Sequence, residues 1–152
     1  MREGQIMGSD FDVDQFCGLL AHAAPDAVIY ADHEGMIRFW NAGAQRIFGF
    51  REAEAIGKSL DIIIPENLRA RHWAGFNETM RTGKTRYGNG DILAVPALRQ
   101  DGARISVEFT VLPFHDEARQ MVGIAAILRD VTKRFEEMRA RAANSRNFAA
   151  AD

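Results

Sequence analysis

One imidazole in this chain is placed where ligand chemistry is possible. In the stretch I-I-I-P-E-N-L-R-A-R-H-W-A-G-F-N-E-T-M-R-T-G, residues 62–83, helical spacing puts His72 on one face with Leu68, Gly75, Phe76 and Thr79, and Arg69 and Arg71 lie beside it. A histidine among mostly apolar neighbours can be a functional site, or a structural residue that bonds a loop carbonyl. Phosphoryl acceptance at His72 would need a kinase partner and a two-helix dimerisation hairpin, and the sequence supplies no such hairpin.

The other reactive residue types are scattered. His22, His33 and His115 fall near turns or helix ends, and none stands at metal-ligand spacing from another ligand. Asp32 and Glu34 precede Gly35 and read as turn residues. Ser9, Ser59, Ser106 and Ser145 have no nucleophile-elbow context, and Gly83-Lys84-Thr85 matches only the end of a phosphate-binding loop. The chain is therefore not read as an enzyme. Cys17 is the single cysteine, which excludes an intramolecular disulfide and a cysteine-rich zinc site.

The His72 helix must be positioned by what flanks it. Pro65 suits a first helical turn and Gly83 a stop, so one helix is expected between them. Upstream, residues 1–9 read as a loose tail, and residues 11–24 as an amphipathic helix with Phe11, Phe16, Leu19 and Leu20 along its stripe. Residues 27–31 and 36–40 read as a hairpin, Asn41 caps a helix ending near Gly49, and residues 50–56 form a further short helix.

From Tyr87 onward the period changes to that of strands. Ile105, Val107, Phe109 and Val111 alternate with polar residues, and a turn at 100–102 joins them to a strand around 92–98. The last strand, 121–131, is apolar or small on both faces, which calls for cover on its outer side by the N-terminal helix or a second copy. Residues 132–142 turn helical, with Phe135, Met138 and Ala142 at heptad-like spacing, and residues 144–152 are expected to fray. The fold class is α+β: a five-stranded antiparallel sheet with helices on one face and flanking helices at both ends. Three segments follow: tail and flanking helix 1–24, sensor-sized domain 25–131, and C-terminal helix and tail 132–152.

Composition bounds the setting. The 152 residues suit one domain, 47% hydrophobic and 26% charged with a formal charge of −2, so nothing points to nucleic acid. Apolar runs are strand-sized, and the first residues lack the apolar block of a signal peptide. A cytoplasmic chain without membrane association is expected.

The order of elements and several local sequences resemble the PAS domain family over roughly residues 16–134. The carriers are P-D-A-V-I-Y-A-D-H-E-G-M-I-R-F-W-N-A-G-A-Q-R-I-F-G-F at 25–50, I-G-K-S-L at 56–60, R-Q-D-G-A-R-I-S-V-E at 99–108 and V-G-I-A-A-I-L-R-D-V-T at 122–132. Asp130, Val131 and Thr132 are similar to the signature that joins the family's last strand to its outgoing helix.

Within that family, I-P-E-N-L-R-A-R-H at 64–72 and Gly83-Lys84 resemble the haem-binding oxygen sensors of the FixL and Dos type. The resemblance implies haem b, with His72 as proximal ligand to the iron and its other ring nitrogen held by a carbonyl or water. Arg69 and Arg71 would then pair with propionates, and Leu68 and Phe76 would flank the group. Where those sensors place an oxygen-stabilising arginine, this chain has Ile92 or Leu93, and the methionine position of the Dos type falls on Gly90. The distal side would be apolar, lined by Ile92 or Leu93 with Phe109 and Val111, which favours CO, NO or five-coordinate iron over tightly held oxygen.

The resemblance thus implies a sensor of a diatomic gas or redox state, a homodimer, and a downstream signalling protein or domain. Two other readings fit the same fold: a cofactor-free PAS interaction domain, and a PAS pocket for a small organic metabolite.

Overall fold

The computed structural model describes residues 9–85 and 90–151; the tail over residues 1–8 and the expected change of period at Tyr87 lie outside them. Five strands form one antiparallel sheet: β1 Ala27–Asp32, β2 Ile37–Trp40, β3 Leu93–Leu98, β4 Arg104–His115 and β5 Met121–Asp130. They lie in the order β2-β1-β5-β4-β3, so the first hairpin and the last three strands meet along the β1–β5 pair.

Between the hairpin and β3 the chain supplies α2 Ala42–Phe48, α3 Glu52–Ala55 and α4 Arg69–Thr82, after α1 Val13–Ala23 at the N-terminal end. The core packs between the sheet and these helices, and Trp40, Phe48, Ile37 and Val107 are its largest fully buried side chains. In β1 the alternation is strict, with Ala27, Ile29 and Ala31 inward. Period two puts Val28 and Tyr30 on the other face.

Asn41 does more than cap a helix. Its Oδ1 accepts from the Ala44 amide of α2 and from the Val28 amide of β1. Its Nδ2 donates to the Ala21, Ala24 and Asp26 carbonyls, so one side chain joins the end of α1, the start of β1 and the start of α2. It is 3% exposed and fully partnered, as a buried amide must be.

Several expected boundaries shift, two of them by more than a residue or two. Pro65 does not open the α-helix: its ψ of 137° is extended, a 3-10 turn covers Glu66–Leu68, and the helix proper begins at Arg69. Gly83 stops it, as expected, in the left-handed conformation at φ 70°. The C-terminal helix, α5 Thr132–Ala149, runs through residues expected to fray, because no Gly or Pro interrupts it.

The outer sheet face is left open. Leu112, Phe114 and Ile127 are exposed, and α1 buries none of its residues, with Phe11, Val13, Phe16 and Leu20 in solvent. The N-terminal helix therefore does not provide the expected cover. Tyr30 covers part of this face, its ring lying over Gly123 and edge-on to Phe114 at 5.4 Å.

The exit from the sheet is tightly joined. The Val131 amide donates to the Ser106 carbonyl, the Thr132 hydroxyl accepts from the Ser106 amide, and Asp130 accepts from both the amide and the hydroxyl of Thr132. Arg134 of α5 pairs with Glu108 of β4. The start of α5 is thereby fixed to β4 as well as to β5.

Candidate functional site

The site is built on α4, which lies against β5. His72 and Trp73 are half-buried and Phe76 is buried. Their rings pack together: His72 stands edge-on to Trp73 at 4.7 Å and tilted against Phe76 at 5.9 Å, and Trp73 meets Phe76 at 5.2 Å. Burial lowers the proton affinity of His72 below its ordinary value of 6.5, against an opposing pull from the Asp61 carboxylate. The ring is neutral at neutral pH.

The unusual atom is Nδ1 of His72, which is buried and has no hydrogen-bond partner. Such a nitrogen costs about 1–3 kcal/mol relative to a satisfied one. A ligand or ordered water that met it would recover that cost. A loop carbonyl at this atom, expected both for a structural histidine and for the second ring nitrogen of a haem ligand, is absent.

Arg69 has another task than the one expected of it. Its guanidinium donates to the Ile64 and Asp61 carbonyls and lies 3.9 Å from the Asp61 carboxylate, pinning the turn before the helix. Arg71 is exposed, and Leu68 is half-buried at the helix start.

On the strand side, Leu93 pairs with Phe109, Phe109 with Leu128, and Val111 with Ala126. Leu93, Phe109 and Val111 are half-buried. Ile92, the other position expected there, precedes β3 and is 68% exposed, so Leu93 is the residue the sheet holds in place. None of these side chains can donate a hydrogen bond.

Asp61 was missed by sequence reasoning. It accepts the Trp73 indole N–H at 2.7 Å and is the carboxylate closest in effect to His72. Twelve residues separate the two partners, so no local spacing signals the bond; only the Ser59–Asp61 turn, where the Ser59 hydroxyl accepts from the Asp61 amide, was readable.

Among the described residues, no group of three or more His, Cys, Asp or Glu side chains could hold a metal ion. A metal at His72 would bring its other ligands with it. The haem implied by resemblance meets that condition, since it needs one protein nitrogen, and a neutral half-buried imidazole with an unsatisfied nitrogen fits it. Arg69, already committed, fits the propionate role poorly.

Residues 21–136 match the protein-family model described as PAS fold. This chain belongs to the PAS family. Among solved structures, the PAS domain of a Colwellia psychrerythraea protein aligns with a TM-score of 0.70 at 23% identity, over 80% of this chain and 99% of that one. Among curated relatives, the sensor protein FixL of Bradyrhizobium diazoefficiens is 31% identical over 109 residues, 72% of this chain and 21% of its own length. The oxygen sensor protein DosP of Escherichia coli is 27% identical over 96 residues, 63% of this chain and 12% of its own length. The chain thus spans about a fifth or less of these two relatives. No helix among the described residues of the PAS chain is long and apolar enough to cross a membrane.

Proposed function

We propose that this PAS domain is a cytoplasmic sensor module that holds haem b through His72 and reports a diatomic gas or redox state, as a homodimer, to a downstream signalling protein or domain. The observation that carries the reading is the buried, unpartnered Nδ1 of a neutral imidazole in an aromatic cluster. Similarity to a sensor protein and an oxygen sensor protein supports the same assignment.

When bound, haem supplies an iron that takes a diatomic ligand and changes oxidation state. His72 would anchor it, and the neutral form of the ring, maintained by burial, is the form able to do so. Leu93, Phe109 and Val111 would exclude water and offer no donor to bound oxygen, so CO and NO are the better-held gases. The Ser106–Thr132 bonds and the Arg134–Glu108 pair tie the outgoing helix to β4, the strand that carries Phe109 and Val111.

The test is the visible absorption spectrum of the purified protein, as isolated and after haemin addition. A sharp Soret band that saturates at one haemin per chain supports the reading. No stable band overturns the haem assignment.

A second reading, a cofactor-free dimerisation domain, is favoured by the open outer face and the uncovered stripe of α1. Reciprocal packing of those two surfaces in a dimer would remove both from water. Light scattering after size exclusion is expected to show a dimer, and Leu112→Asp with Ile127→Asp a monomer, with no Soret band from haemin in either protein. A monomeric wild type contradicts the dimer.

A further inference from the structure

Trp73 follows His72 in sequence, and beyond its ring contacts within α4 it reaches two other segments. Its indole N–H donates to Asp61 Oδ1 at 2.7 Å. The far edge of its ring lies on Gly35, in the turn between β1 and β2, where a Cβ would stand 2.2 Å from Cη2 and 2.3 Å from Cζ3. Gly35 has φ +79°, so both its backbone conformation and the indole require glycine there.

Both places that Trp73 touches are themselves joined. The Leu60 amide donates to the Gly35 carbonyl, the Ile37 amide to the Lys58 carbonyl and the Gly57 amide to the Ile37 carbonyl. The segment carrying Asp61 is thus stitched to the turn that carries Gly35, and Trp73 closes the ring from the α4 side. The turn itself is stiff: Asp32 accepts from the Glu34 and Met36 amides and from Arg38. Asp32 also pairs with Gly123 of β5, the strand that ends at Asp130.

We propose that Trp73 is the positioning residue of the His72 site, fixing the imidazole plane by its edge-on contact and coupling that ring to the β1–β2 turn through Gly35 and Asp61. The positioning half rests on the reading of His72 as the binding residue; the coupling half does not. A displacement of the His72 ring meets the indole at 4.7 Å. The indole has no free space at Gly35 to absorb that movement.

The experiment is a double-mutant cycle read by NMR in protein without haemin, using the Gly35 amide and the Trp73 indole N–H resonances. His72→Phe is expected to shift both resonances in the wild-type background and to leave Gly35 unmoved in the Trp73→Leu background. A Gly35 amide that ignores His72→Phe, or that moves equally in both backgrounds, overturns the coupling. Thermal melts identify a leucine variant that does not fold, in which case Trp73→Phe, which keeps a ring but loses the bond to Asp61, takes its place with a reduced Gly35 response expected.

Haemin titration reads the positioning half. Trp73→Leu is expected to weaken binding about ten- to a hundredfold and to broaden the Soret band, with Trp73→Phe losing less. Unchanged affinity and line shape in Trp73→Leu would overturn it. Absence of a Soret band in the wild type would instead refute haem at His72, and the amide cycle would still decide the coupling.

Discussion

Asn41 and His72 are both polar side chains carried into apolar surroundings, and they differ in how their atoms are satisfied. Every hydrogen-bonding atom of the Asn41 side chain meets a backbone group, and those groups belong to α1, the α1–β1 link, β1 and α2. His72 leaves Nδ1 buried without a partner. A fully satisfied buried polar group is explained by the fold it holds together. An unsatisfied one costs stability that the fold does not recover, and the proposed function assigns that cost at His72 to a ligand.

That contrast can be broken in order of effect. Asn41→Ala strands two amides and three carbonyls around the α1–β1–α2 junction, so a loss of about 3 kcal/mol, or roughly 10 °C in melting temperature, is expected. Calorimetry checks it, and a change under about 1 kcal/mol would mean that the junction does not depend on this side chain.

His72→Leu is expected to behave in the opposite way. Removing the unpartnered nitrogen while keeping apolar volume should leave stability within about 1 kcal/mol of the wild type, while any haemin affinity is lost. A large loss of stability would make His72 a structural residue like Asn41.

The smallest effect is on pH dependence. Because burial lowers the proton affinity of His72 below its ordinary 6.5, the unfolded chain binds a proton that the folded chain resists. This contribution is absent above the ordinary value and reduces stability as pH falls through it, levelling off below the lowered folded value. Denaturant midpoints measured across that window should fall more steeply for wild type than for His72→Leu, and identical profiles would show that the ring is not held neutral by burial.

How much of this was readable from residues depends on range. The cap at Asn41 was legible because its partner Ala44 is three residues away; the bonds to Ala21, Ala24 and Asp26 were not, because they depend on how α1 meets the sheet. The helix carrying His72, its neighbour Phe76 and the stop at Gly83 were legible from period and glycine. Arg69 looked free for an anion because its acceptors are carbonyls, which every sequence contains and none displays. Ile92 and Leu93 could not be told apart by counting, and strand register separates them. The contact of Trp73 with Gly35 was not legible, because the two are thirty-eight positions apart and no local spacing joins them.

The most direct measurement of the central claim is imidazole rescue at the cavity variant His72→Gly. The Soret band of the haemin complex should be lost or strongly shifted in the variant and restored by free imidazole, which fills the space with the missing nitrogen donor. A band that is the same in wild type and variant, and indifferent to imidazole, would show that iron is not held by His72.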